Sequence, residues 1–308
     1  MERLTPDAIV TINGADTKKH LNSIVLVDKE DKEVDEVTLT FDNDYPRPSY
    51  NDIASYNDIV LVYLGYKETG LYFCGSFKVQ TTDKTDKHLK VKATSTDFMA
   101  SMKVRRNLSY EKLTLADLVG IVAGRNGLAA KTDFGDVYFE HFAQTDESDL
   151  HLLNRLAYDY NAIYNIKNGV LVFLKKQNLP TFFVERKRCK SYTIKYANRT
   201  LYKSVKAVWW DTKENKSQEV VVGAGEPQYR LESKFKSKEE AKRRAAGMLS
   251  RLNSGIVKGK VVINGKNIVA GGKLVLSGFG GDDGLYTIKK VTHTMNNSGY
   301  EIKVEFER

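Results

Sequence analysis

The last strand-length segment of the chain sets the strongest constraint on the fold. Tyr300, Ile302, Val304 and Phe306 alternate with Glu301, Lys303 and Glu305. A two-residue period sends alternate side chains to opposite faces of an extended backbone, so this segment needs a core on one side and water on the other. The same period recurs near the other end. Val37, Leu39 and Phe41 alternate with Thr38 and Thr40, and Leu89, Val91 and Ala93 alternate with Lys90 and Lys92. Ile59 to Leu64 and Leu71 to Gln80 are apolar strand candidates joined by Gly65 to Gly70, and Asp42 to Asp52 is a turn-rich polar loop. The abundance of tyrosine, 17 against 2 Trp, supports strands, because aromatic side chains pack well on a pleated surface. The first hundred residues therefore outline a small β-barrel or sandwich.

Between these ends the period changes. Leu115, Leu118, Val119 and Val122 share one face of a helix, which Thr114 caps with Asp117 in a capping-box pair, and Gly124 or Gly127 ends it. A second helix is expected from about Glu147 to Tyr160, preceded by Thr145 or Asp146, with Leu150, Leu153 and Ala157 on one face. Ala162 to Ile166 and Val170 to Leu174 should form a hairpin around Lys167-Asn168-Gly169. The last third returns to strands at Thr193–Tyr196, Val205–Trp210, Glu219–Val222, Lys260–Ile263, Lys273–Leu276, Leu285–Val291 and Tyr300–Phe306. One helix interrupts them, with a capping box at Ser237 to Glu240, an apolar face of Ala241, Ala245, Met248, Leu249 and Leu252, and a stop at Asn253-Ser254-Gly255.

A length of 308 residues suggests two or three domains. The net charge of +9 raises the question of a polyanionic partner. Its basic residues are dispersed, and the densest runs, Glu185 to Lys190 and Lys242 to Arg244, lack the interleaved aromatics that stack on bases. A solubilising surface accounts for the charge. Two cysteines, Cys74 and Cys189, exclude a disulfide framework or a cysteine-rich zinc site, and Cys74 reads as a small core hydrophobe. The first residues carry no apolar leader and the longest apolar stretch is too short to span a bilayer, so stable membrane insertion is not expected and folding in a cytoplasm is.

No catalytic, cofactor or metal constellation stands out. Asp146, Glu147 and Asp149 sit at a helix start, where unpaired backbone N–H groups stabilise carboxylates, and capping explains them better than acid–base or metal chemistry. His141 and His151 flank them without metal-ligand spacing. His293 reads as a structural histidine, and no nucleophile elbow accompanies any histidine. Gly278 to Gly284 reads as a hairpin loop, with no phosphate-binding pattern. Trp209 and Trp210 are the interface candidates, since strand alternation points one to the core and the other outward.

One run is distinctive: Gln144-Thr145-Asp146-Glu147-Ser148-Asp149-Leu150-His151-Leu152-Leu153-Asn154-Arg155-Leu156-Ala157. It resembles the Q-x-(N/D)-E-S-D-x-x-F-L-x-R-L-A segment of the late control gene D family of phage tail proteins, with Leu152 in place of the aromatic. The preceding helix with its Gly127-Leu128 ending, and the segments Ala241–Asn253, Gly271–Phe279, Tyr286–His293 and Gly299-Tyr300, fall in the family's order. That family includes the hubs of contractile phages and the N-terminal part of the valine-glycine-repeat spike proteins of type VI secretion. The resemblance implies a mainly β fold of two tube-type β-barrels plus a small α+β domain inserted between them. Residues 1–100 would form the first barrel, 101–180 the insertion and 181–308 the second barrel with one helix. The internal duplication is implied by the family alone.

It also implies a baseplate hub of a contractile phage tail, prophage or related injection machine, in the virion tail baseplate and assembled in the host cytoplasm. A homotrimer would form a ring adapting the sixfold tail tube to a threefold spike. Its partners would be a separate tail spike protein and the tail tube or other baseplate proteins, with DNA passing through the channel without sequence-specific contacts. No enzymatic activity and no cofactor are expected. Two other readings stand beside this one: a tail-associated cell-wall hydrolase, for which the chain after its last strand leaves no room, and a DNA-binding protein.

Overall fold

The computed structural model describes residues 4–17, 20–30, 34–42, 54–95, 100–167, 169–211, 214–233, 235 and 237–308. The Asp42–Asp52 loop beyond Asp42 and Asn168 of the expected hairpin turn lie outside them. The alternating segments near the N-terminus form β1 (Pro6–Ile12), β2 (Ala15–Asp16), β3 (Leu21–Lys29), β4 (Glu36–Asp42), β5 (Ile59–Tyr66), β6 (Gly70–Lys84) and β7 (His88–Thr94). They pair antiparallel in the order β3-β4-β7-β6-β5-β1-β2. The inward residues of the alternation, among them Val37, Leu39, Phe41, Leu89 and Val91, are fully buried, while Lys90 and Lys92 face water. Strand β6 is long enough to pair with β5 through its first part and with β7 through its second, which wraps the sheet around its core.

The middle of the chain forms α1 (Ala100–Lys103), β8 (Arg105–Thr114), α2 (Leu115–Arg125), β9 (Ala129–Thr132), β10 (Tyr138–Ser148), α3 (Asp149–Tyr160), β11 (Ala162–Lys167) and β12 (Val170–Lys175). Thr114 and Asp117 form the reciprocal capping box that the sequence predicts, and Asn126 caps the C-terminus with Gly127 left-handed after it. The hairpin β11–β12 is present, and β9 adds to it in parallel. Strands β8 and β10 pair as a separate two-stranded ribbon. They are missed by pattern reading, because polar residues fill most of their positions. All these elements close on a core of their own, built from Leu118, Val119, Val122, Leu152, Leu153, Phe173 and neighbours.

The rest of the chain forms β13 (Thr181–Glu185), β14 (Cys189–Tyr196), β15 (Ser204–Asp211), β16 (Lys216–Gly223), β17 (Gln228–Glu232), α4 (Lys238–Leu252), β18 (Val257–Asn264), β19 (Lys273–Ser277), β20 (Gly284–Asn296) and β21 (Gly299–Glu307). Here the structure departs from a single run of barrel strands. Strands β15, β16 and β17 form a separate sheet under α4, with a third core of Val205, Ala207, Trp209, Phe235, Ala241, Ala245 and Met248. Ser237 caps α4 by accepting the Glu240 N–H at 3.2 Å. The other six strands run in the order β14-β18-β21-β20-β19-β13, and a three-residue helical corner, Arg186–Arg188, joins the two end strands.

Strand β20 links the two ends of the molecule. One edge pairs with β21. The other pairs first with β19, through Gly284 to Thr287, and then with β3, through Lys290 to Asn296. A register shift between Ile288 and Lys290 marks the change of partner, as expected of a bulge that bends a strand. Strands from both chain ends thus belong to one thirteen-stranded sheet over one continuous core. Aromatic side chains close the seam. The Tyr66 hydroxyl donates to the Gly265 carbonyl at 3.1 Å, Tyr72 and Tyr300 share a hydroxyl–hydroxyl bond, and His293 Nδ1 lies 2.8 Å from the Tyr300 hydroxyl.

Gly265 touches this seam at its tightest point. A Cβ there would come within 2.0 Å of the Tyr300 ring. Gly265→Ala must displace a buried aromatic ring from both halves at once, and overpacking of this kind costs about 3 kcal/mol. Urea unfolding should show a lowered midpoint with an unchanged slope.

Candidate functional site

The Gln144–Ala157 run lies where the β8–β10 ribbon feeds into α3. Its carboxylates do not cap the helix. Strand β10 continues to Ser148, which is the N-cap and accepts the His151 N–H at 3.2 Å. The expected helix start at Glu147 is therefore displaced by two residues. The reason is a β-bulge: the β8–β10 register shifts between Gln144 and Glu147, and Asp146 adopts a left-handed backbone with φ of 47°. The three acidic side chains consequently point in three directions.

Asp146 points to solvent and pairs with Arg105 at 2.7 Å. Glu147 is held by Arg155 in a two-pronged pair, Nε at 2.9 Å and Nη2 at 2.6 Å. Asp149 is completely buried. Arg125 donates to it from Nε at 3.1 Å and Nη2 at 2.7 Å, Asn126 Nδ2 donates at 2.9 Å, Gln144 Nε2 donates at 3.0 Å, and Arg106 lies 3.7 Å away. The network continues outward: Arg125 Nη1 donates to the Tyr110 hydroxyl, which donates to Gln144 Oε1, and the Ser101 hydroxyl donates to Asn126 Oδ1. One carboxylate therefore ties α1, β8, α2, β10 and α3 together. Both of its oxygens are engaged by donors, which leaves no geometry for proton transfer or metal binding. The missed signal was the supply of matching cations, Arg105, Arg106, Arg125 and Arg155, in the surrounding sequence.

The remaining candidates resolve simply. His141 Nε2 lies 2.9 Å from the Ser109 hydroxyl on the exposed ribbon, and His151 is exposed. His293 is buried in the middle of β20 against Tyr72 and Tyr300. Gly278 to Gly284 makes the β19–β20 connection, fixed by Phe279 N–H on Asp283 Oδ1 at 2.7 Å and by the Tyr286 hydroxyl on the Asp282 carbonyl at 2.7 Å. Cys74 packs against the main core, and burial pushes its thiol up to about 12. Trp209 is 8% exposed and meets the Phe235 ring edge-on at 5.8 Å, whereas Trp210 is 59% exposed on the outer face of β15. Among the described residues no group of three His, Cys, Asp or Glu side chains is placed to hold a metal ion, and no helix is long and apolar enough to cross a membrane.

A family model for the phage tail baseplate hub (GPD) matches residues 71–299. The chain belongs to the phage tail baseplate hub family. It is 23% identical to a protein described as a probable baseplate hub of Escherichia phage 186, over 99% of this chain and 93% of the relative. Its fold is similar to the 43 kDa tail protein of prophage MuSo2 from Shewanella oneidensis, with a TM-score of 0.72, 11% identity and coverage of 98% of both chains. It is also similar to an E. coli protein described as a component of the type VI secretion system, with a TM-score of 0.56, 12% identity and coverage of 96% of this chain and 76% of that one. The mainly β fold with few helices is the hub fold, and the kinship with type VI proteins implied by the sequence holds at the level of fold.

In this hub the marker segment is a structural lock, so substitutions should rank by burial. Asp149→Asn leaves Arg125 and Arg106 without their counter-charge and should cost about 3–5 kcal/mol. Glu147→Gln should cost about 1–2 kcal/mol. Asp146→Asn, on an exposed pair, should leave the urea midpoint where it was. Equal losses at all three positions would contradict the network described above.

Proposed function

We propose that this chain is a non-enzymatic hub of a contractile phage tail or related injection machine, assembling as a homotrimer whose ring adapts a sixfold tube to a threefold spike. The observation that carries this reading is the span of the family relationship: alignment to the phage 186 relative takes in 99% of this chain and 93% of that protein. We assign residues 1–100 and 181–308 to two barrel-type units and 101–180 to the insertion. The sharing of one sheet between strands of the two end regions supports treating them as a paired unit. The spike is a separate chain, the tube and other baseplate proteins are the further partners, and assembly takes place in the host cytoplasm.

The sheet face turned away from the core supports a channel role. Where the two end regions meet it presents Thr38, Thr40, Thr292 and Thr294 around Val25 and Val27 of β3, together with three lysines that share two acids: Lys92 with Asp83 at 3.4 Å, and Lys290 and Lys303 with Glu305 at 3.5 Å and 3.3 Å. Hydroxyls, small apolar side chains and partly compensated charge suit a surface that DNA passes without being held tightly, because each lysine paired with an acid is one fewer to bind phosphate. Trp210 is our contact residue for a neighbouring protein, backed by Trp209 in the core behind it.

Light scattering of the purified protein should give a species three chains in mass at micromolar concentration. Trp210→Ala should weaken subunit or spike association at least about tenfold, with the fold unchanged by circular dichroism. A persistent monomer that also lacks affinity for its spike would overturn the reading.

A further inference from the structure

The two end regions repeat one another strand for strand. The first runs β1-β5-β6-β7-β4-β3 across its sheet, and the second runs β13-β19-β20-β21-β18-β14. With β2 and the β15–β17 sheet set aside, both orders are first, fourth, fifth, sixth, third and second along the chain. One direction differs, since β1 is antiparallel to β5 and β13 is parallel to β19. The irregularities coincide as well. Against β7, β6 shifts register between Val79 and Thr81; against β21, β20 shifts between Ile288 and Lys290. Against β4, β3 shifts between Leu21 and Ser23; against β18, β14 shifts between Cys189 and Ser191. Counted from these bulges, Thr81 is the counterpart of Lys290, and Ser191 is the counterpart of Ser23. The junction within the chain joins β20, past its bulge, to the outer edge of β3. The counterparts of that pair are β6 past its bulge and β14. Among the described residues neither has a strand there: β5 leaves β6 at Lys78, and β14 pairs with β18 alone. Thr81 to Lys84, Tyr192, Lys195 and Tyr196 are exposed. An open strand edge is a template for another chain.

We propose that β14 of one chain pairs antiparallel with the end of β6 of a second copy, repeating between chains the β20–β3 junction found within each. Carrying the register of that junction across puts Thr82 of one chain opposite Tyr196 of the other, Asp83 opposite Lys195, and Lys84 opposite Ile194. Asp83 and Lys195 take the places of Thr292 and Val27. Opposite charges directly across a ladder favour this register over a one-residue slip. Asp83 lies 3.4 Å from Lys92 of its own hairpin, and its carboxylate has a second oxygen for the neighbouring lysine. The two edges are different surfaces, so the contact is head-to-tail, and each chain carries one of each. Such contacts close into a ring where the rotation permits. This pairing rests on the homotrimer reading for the number of copies, and adds which edges meet and in what register.

Disulfide cross-linking of the full chain tests the register, because directly opposite residues on paired strands lie within disulfide reach. With Cys74 and Cys189 replaced by Ser, the double variant Asp83→Cys/Lys195→Cys should give a covalently linked trimer on a non-reducing gel, and neither single cysteine should link. Charge reversal needs no change to the native cysteines. Asp83→Lys and Lys195→Asp should each weaken self-association about tenfold in sedimentation, with circular dichroism unchanged, and the two together should restore it to within about threefold. Linkage in Lys195→Cys alone would mean that β14 meets its own copy, and would overturn the pairing. A trimer by light scattering that neither links in the double cysteine variant nor recovers in the double reversal would overturn the pairing and leave the homotrimer reading standing. A persistent monomer would overturn both. Linked chains that grow past three would uphold the pairing and overturn the closed ring of three.

Discussion

The pairing of β20 with both β19 and β3 is the constraint on which the rest of the molecule depends. It joins strands more than 250 residues apart in sequence, and such contacts require a large loop to close before they stabilise anything. The bulge at Ile288–Lys290 makes the double pairing geometrically consistent by bending β20 where its partner changes. Burial then secures it. Val10, Leu39 and Val62 from one end share a core with Val261, Ile302 and Val304 from the other. The two ends cannot slide past one another without exposing that core, and the Tyr66–Gly265 and Tyr72–Tyr300 bonds fix the angle between them. Burial also pushes the Tyr72 and Tyr300 hydroxyls well above the ordinary phenol range.

The insertion solves a different problem. Its ribbon and helices are short, and short helices are marginal without tertiary support. A fully buried carboxylate supplies part of that support. Asp149 is surrounded by two guanidiniums and two amides, and a buried charge is tolerated only when its lone pairs are so occupied. Such a network need not stabilise more than a well-packed apolar cluster would. It does fix register, because a one-residue slip of β10 against β8 would move Arg106 and Tyr110 of β8 away from the carboxylate and Gln144.

Much of the fold was legible in the sequence because alternation reports burial directly. The strand Tyr300–Phe306 and the Thr114 capping box were readable residue by residue, since both depend on local geometry alone. Strands β8 and β10 were not, because a ribbon with one open face carries polar residues at most positions and loses its period. The Glu147–Asp149 cluster was misread for a related reason. Acidic residues beside a helix start fit capping by proximity, while the true partners of Asp149, Arg106 and Arg125, are distant in sequence and only the fold brings them close. The separate β15–β17 sheet was hidden because a strand's pattern states that one face is buried, not which core buries it. Trp209 and Trp210 show the limit clearly: alternation placed one inward and one outward, but only Phe235 shows which core receives Trp209.

These features bear on how a hub can transmit force. A structural part of a tail baseplate must resist shear between its own pieces, or load would deform it instead of reaching its neighbours. Hydrogen-bonded strand pairs loaded along the strand share stress over many bonds, and the β20–β3 pairing offers seven aligned residue pairs at the junction, Lys290 to Asn296 against Lys29 to Ser23. The helical joint between α3 and α4 has no such ladder. It relies on the Arg244–Asp159 pair and a close approach at Gly247, and it holds the buried, unmatched Arg251 Nε. Compliance should therefore concentrate at the joint between α3 and α4, with the large sheet moving as one piece. The exposed Trp210 sits on the outer face of the small sheet beneath α4, on the compliant side of that division. A contact made there could adjust to a neighbour without disturbing the register of the large sheet.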